Sequence, residues 1–191
     1  MATFQPLPRW QDFLPNNLKA RDCIDELLKN WLVEDGKAFW FSQSSHAIAA
    51  IGSFWKKNNN NRNAVIWFPE YFCNQATIPI RELGLELAFY PIKEDLSPNW
   101  SRCADLAKKT PPDLFVIVHY FGVANVGLMA KMFCERFGAL VIEDAAHVVR
   151  PYKDIGFYGD FVFYSPHKVL AVPAGAVLVV ALPLQEKFLD Y

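Results

Sequence analysis

Two stretches of this 191-residue chain deliver reactive side chains at the ends of apolar runs. In Val141-Ile-Glu-Asp-Ala-Ala-His147 the run ends in an acid, Asp144, with His147 just beyond. In Phe163-Tyr-Ser-Pro-His-Lys-Val169 a second run ends in Ser165 and Lys168. An amine at such a position can condense with a carbonyl and afterwards shuttle a proton. A carboxylate partly withdrawn from water forms a strong charge-assisted bond to a protonated ring nitrogen. Together the two suit chemistry on a carbonyl carried by a cationic heterocycle. Each residue also has an ordinary reading. Asp144 would serve as a helix N-cap, and Lys168 would snorkel to the surface.

Composition bounds the alternatives. Hydrophobic residues make up 52% of the chain, enough for a substantial core, and the net charge is -1. Lys and Arg are scattered, so no basic surface points to nucleic acid or a membrane. The four cysteines, Cys23, Cys73, Cys103 and Cys134, form no CxxC pair, and no histidine cluster has metal-ligand spacing. They read as reduced thiols of a cytoplasmic protein, with no metal site. The N-terminus lacks the layout of a signal peptide, and no apolar run is long enough to span a bilayer.

The reactive residues need a scaffold, and the apolar pattern supplies one. Ala64–Phe68, Leu87–Tyr90, Leu114–Tyr120, Ala139–Glu143, Phe161–Tyr164 and Ala176–Val180 read as buried strands. Helical patterns cover Leu18–Trp31, His46–Lys57, Asn74–Leu83 and Val126–Phe137. Continuously apolar strands alternating with helices predict a three-layer α/β/α domain around a mostly parallel sheet. The last two strands have no helix between them, which predicts an antiparallel member. Pro91 to Pro112 reads as a long polar connection. Residues 1–40 read as an N-terminal helical segment and 41–191 as the domain proper. The stretch Gln185–Tyr191 resembles the opening turns of a helix, which predicts a chain truncated before a further domain.

Open α/β sheets bind ligands outside the carboxyl ends of their strands. Four segments are expected to meet there. Phe41-Ser-Gln-Ser-Ser-His46 leads into a helix, so Ser44 and Ser45 are either plain caps or a phosphate site. Phe68-Pro-Glu-Tyr-Phe-Cys73 puts Tyr71 and Phe72 where either ring can stack on a flat ligand or join the core. The other two segments carry Asp144 with His147, and Ser165 with Lys168. Pyridoxal phosphate (PLP) needs this set: a lysine, an anion for its ring nitrogen and a cradle for its phosphate.

The order and spacing of these segments resemble the DegT/DnrJ/StrS-type sugar aminotransferases, from about Phe41 to Val180. Ser44-Ser-His-Ala-Ile48 is similar to the family's phosphate segment. Phe68-Pro-Glu-Tyr-Phe-Cys73 resembles its strand-end aromatic segment, and Val118-His-Tyr-Phe-Gly122 its His-x-x-Gly strand. Glu143-Asp-Ala-Ala-His147 resembles the most diagnostic motif, and Ser165-Pro-His-Lys168 the Ser-Pro-Arg-Lys variant. Ser44 stands where the family has glycine, His167 where the variant has arginine, and Gly175-Ala176 where Gly-Gly is usual.

The resemblance implies the type I aminotransferase large domain, with its C-terminal small domain missing. It implies Lys168 and Asp144 as catalytic residues. Ser44, Ser45, Tyr71, Phe72, Asp144, His147, Ser165 and Lys168 would hold the cofactor. It also implies a homodimer, a glutamate amino donor and a keto-sugar acceptor linked to a nucleotide. Relatives without the lysine are dehydratases, and Lys168 argues against that. Two alternatives share the same residues: another type I PLP enzyme such as a lyase, and a non-catalytic domain acting in binding or dimerisation.

Overall fold

A computed structural model of the chain describes residues 20–33 and 36–189, with side chains from residue 24 onward. Seven strands form one sheet: β1 (Lys37–Phe41), β2 (Val65–Pro69), β3 (Glu86–Tyr90), β4 (Leu114–Val118), β5 (Leu140–Asp144), β6 (Phe161–Tyr164) and β7 (Ala176–Val180). Their spatial order is β1-β7-β6-β5-β4-β2-β3. From β6 through β5, β4 and β2 to β3 all neighbours are parallel, whereas β7 runs antiparallel to both β6 and β1. The mixed sheet and its antiparallel member agree with the sequence.

The central strands are mostly apolar because both faces are covered. Alternate residues split between two cores. Ile66, Phe68, Val116, Ile142 and Phe163 pack beneath α2 (Ser44–Asn58), α3 (Ile78–Glu82) and α6 (Leu182–Leu189). Trp67, Phe115, Ile117 and Val141 face α4 (Trp100–Ala107) and α5 (Gly127–Glu135) on the other side. On that second side Trp31, just after α1 (Ala20–Leu28), packs with Val162, Tyr164 and Val177. The three layers are those expected.

Three details differ from the sequence reading. Residues 37–40, placed above in a helical N-terminal segment, instead form with Phe41 an edge strand paired residue for residue with β7. The connection from Pro91 to Pro112 contains α4, capped by the Asn99 side chain accepting from Arg102 N and seated on Cys103 and Ala107. The stretch from Asn74 begins as a 3-10 turn and becomes α3 only at Ile78, with Pro79 in its first turn. Leu18 and Lys19 of the first predicted helix lie outside the described residues.

Candidate active site

A cavity of about 650 Å³ opens at the carboxyl ends of the parallel strands. Each predicted segment supplies part of its lining. Ser44 and Ser45 come from the start of α2, and Tyr71 and Phe72 from the loop after β2. Asp144 and His147 come from the end of β5, and Lys168 from the 3-10 turn after β6. Seven of the eight predicted residues therefore meet in one space. Ser165 does not line it. Its side chain is wholly buried, and its Oγ has no hydrogen-bond partner.

The α2 end differs in detail from the expectation. Gln43, not a serine, is the N-cap residue, and its carbonyl accepts from the backbone N–H groups of His46 and Ala47. Ser44 and Ser45 occupy the first helical positions. Their own N–H groups are among the four that a helix cannot satisfy internally, and they lie at its positive end.

Asp144 and Lys168 reach the cavity because their strands pair in register. Asp144 lies opposite Phe163, two residues before Ser165. The Asp144 Oδ1 atom accepts from the N–H of Ala146 at 3.0 Å. Burial raises the Asp144 carboxyl above the ordinary carboxylate range, while the Ala146 N–H and the Lys168 ammonium pull the other way. An acid whose folded value is raised contributes stability below its ordinary value and loses it as pH rises through the folded one. Asp144→Asn keeps the acceptor for Ala146 without the partly desolvated charge. It is expected to melt higher than the parent at neutral pH, with the gain fading below about pH 4 in a pH series of melting curves.

Behind this acid sits a fully buried brace. Glu143 accepts from His119 Nε2 at 2.7 Å, from Gly156 N at 2.7 Å, from Tyr158 N at 2.6 Å and from Gly159 N. His119 Nδ1 in turn accepts from the backbone N–H of Asn125 at 3.0 Å. A ring nitrogen that accepts carries no proton, so His119 is neutral and donates through Nε2. Burial alone would raise the Glu143 carboxyl. The bonds from His119, Gly156 and Tyr158 outweigh it and hold the group below the usual range.

The remaining wall is aromatic. Tyr71 stacks on Tyr120 at 5.7 Å, and the Tyr120 hydroxyl donates to the Tyr71 carbonyl. Phe121 stacks on the ring of His147, with centroids 6.0 Å apart and planes within 11°. Tyr120, Phe121, Gln43, Cys73 and Gln75 line the cavity without having been singled out from the sequence as site residues, and His167, a weaker sequence candidate for the phosphate, lines it too. Phe121 and Gly122 did carry a signal: a phenylalanine and a glycine closing the segment Val118-His-Tyr-Phe-Gly122 that follows a continuously apolar run. Among the described residues no cluster of His, Cys, Asp and Glu is arranged to hold a metal, and no helix is long and apolar enough to cross a membrane.

No protein-family model matches the sequence, and no curated protein matches it. Solved structures do. The Helicobacter pylori aminotransferase PseC, involved in pseudoaminic acid biosynthesis, superposes with a TM-score of 0.71 at 19% identity. The match covers 90% of this chain and 47% of that one. DesI, determined with its TDP-sugar product, gives 0.70 at 17% identity over 92% and 45%. A putative PLP-dependent aminotransferase from Bacillus cereus gives 0.69 at 14% identity over 88% and 47%. At these identities the likeness establishes the fold alone, the three-layer α/β/α arrangement that this chain shares with part of each of these structures. The chain spans less than half the length of each of these structures.

Proposed function

We propose that this chain is the cofactor-binding domain of a PLP-dependent aminotransferase. It would transfer an amino group from glutamate to a keto sugar carried on a nucleotide. The observation that carries the reading is that Asp144 and Lys168 line the same cavity as the start of α2.

The residues fit the cofactor. Asp144 is a half-buried acid whose charge desolvation disfavours until a cation faces it, which a protonated ring nitrogen would do. Ser165 Oγ is a buried hydroxyl with no hydrogen-bond partner, and Ser44 and Ser45 are the first two residues of α2, at its positive end. Ser44 and Ser45 would hold the phosphate, and Ser165 would join them if its side chain turned into the cavity. Tyr71 and Phe72 would bound the ring, and His147 would donate to its phenolic oxygen. Lys168 would hold the cofactor covalently through Nζ, and that amine, once released, would move a proton at the reacting carbon. Bound there, PLP would supply the electron sink that makes the amino group transferable.

The other expectations belong to the same proposal. A homodimer rests on the resemblance described above. A cytoplasmic setting rests on the thiols: Cys73, Cys103 and Cys134 are all free, and burial pushes Cys103 and Cys134 up to about 12.

The test is a titration with PLP followed by glutamate. A saturable visible absorbance change, then release of 2-oxoglutarate in proportion to bound cofactor, is the expected result. Absence of saturable binding would overturn the reading. Binding without transfer from any amino donor would favour a non-catalytic role.

A further inference from the structure

The segment after β4 turns through two consecutive left-handed residues, Phe121 (φ 56°) and Gly122 (φ 75°). Glycine adopts that conformation freely, but phenylalanine does so only at a cost in strain. The strain has a visible result. It turns the backbone N–H of Phe121 onto His147 Nδ1 at 3.0 Å, while the Phe121 side chain stacks on the same imidazole. The fit is close: a methyl group on Gly122 would sit 3.2 Å from the His147 carbonyl oxygen and from Val148 Cγ1.

An amide N–H can only donate, so the Nδ1 it meets must be an unprotonated acceptor. A neutral imidazole with a bare Nδ1 carries its proton on Nε2. We infer that Phe121 is a positioning residue whose left-handed backbone locks His147 into the Nε2–H form, so that this cavity-lining histidine acts as a hydrogen-bond donor. The donor role towards the phenolic oxygen of PLP rests on the function proposed above. The lock itself does not. Desolvation of the imidazole, together with the nearby charge of Lys168, holds His147 below its ordinary value and agrees with a neutral ring.

The experiment compares the wild type with Phe121→Val and Phe121→Asn, reading the imidazole nitrogens by long-range proton–nitrogen NMR. His147→Gln assigns the signal. Valine resists the left-handed region, whereas asparagine tolerates it but lacks the ring. In protein without cofactor, the wild type and Phe121→Asn are expected to show a bare Nδ1 and a protonated Nε2 at His147. Phe121→Val is expected to show an averaged mixture of tautomers. His119 is the internal control: its own Nδ1 accepts from Asn125, so an unchanged His119 signature reports an intact fold. A wild-type His147 that is protonated on Nδ1 or averaged would overturn the lock. So would a Phe121→Val spectrum identical to wild type.

PLP is then added to all three. A shift of the His147 Nε2 signal, with about two- to tenfold weaker binding by Phe121→Val alone, supports the donor role. Binding with no shift at Nε2 would overturn that role alone. Failure of PLP to bind any of the proteins would instead overturn the proposed function, leaving the tautomer result standing.

Discussion

Replacing Lys168 by alanine is expected to abolish borohydride trapping of PLP on the protein. After reduction, the intact mass of the wild type should rise by one cofactor residue, and peptide mapping should place the addition on Lys168. Lys168→Ala should show background labelling only. Transfer activity, where the wild type supports it, should fall at least about 100-fold, because both the covalent hold and the mobile proton are lost. The fold should not notice. Lys168 sits in an exposed turn, and surface substitutions of this kind change stability by no more than about 0.5 kcal/mol. Equal labelling of both proteins, or labelling at another lysine, would remove Lys168 from the site. This substitution separates chemistry from architecture more cleanly than Asp144→Asn, whose effect mixes cofactor binding with the relief of a partly desolvated charge.

The largest expected effect on stability lies one residue away from that acid. Glu143→Ala leaves four donors without an acceptor: the His119 ring and the backbone N–H groups of Gly156, Tyr158 and Gly159. Removing one side of a buried charge-assisted network costs about 3–5 kcal/mol, read from urea unfolding. Glu143→Gln is an instructive companion. Each carboxylate oxygen receives two donors, so an amide NH₂ in either place would face two N–H groups and could accept from neither. The isosteric change should therefore be nearly as damaging as alanine.

The pH dependence follows from the depressed Glu143 carboxyl. Its contribution is complete above the ordinary glutamate range and is lost as pH falls through the lower folded value. Both variants should lose this acid-side component of the stability profile. If Glu143→Gln unfolds at the wild-type urea concentration, the brace is not what holds the loop after β5.

How far the sequence determined this picture depended on where each element sits. Strands β2 and β4 to β7 were legible because burial on both faces makes them mostly apolar, and the edge strand β3 was legible from its apolar run Leu87-Ala-Phe-Tyr90. Asp144 and Lys168 stood out because charged groups rarely end such runs. The edge strand β1 was not legible: it begins with Lys37, none of its residues is fully buried, and its partner is far along the chain. Helix α4 was hidden by the polar residues around it, although Trp100, Cys103 and Ala107 mark its inner face. The brace could not be found from spacing, since Glu143 reaches its four donors only through tertiary contacts. The same holds for the Phe121–His147 contact, which joins residues from two different strand ends.

The pairing of β1 with β7 also bears on when the site can exist during synthesis. Helix α2, whose first turn forms one end of the cavity, follows directly from β1, and β1 has its place in the sheet only beside β7. Lys37 pairs with Val180. A nascent chain still short of Val180 can assemble the parallel strands from β2 to β6 with α2 packed on them, but the residues leading into α2 lack the pairing with β7 that fixes its start opposite Lys168. Such distant pairing is the slow kind of contact to form. Capture of a ligand that bridges the two ends of the cavity is therefore confined to chains whose β7 has left the ribosome, and ligand supplied during translation should not speed the folding of shorter ones.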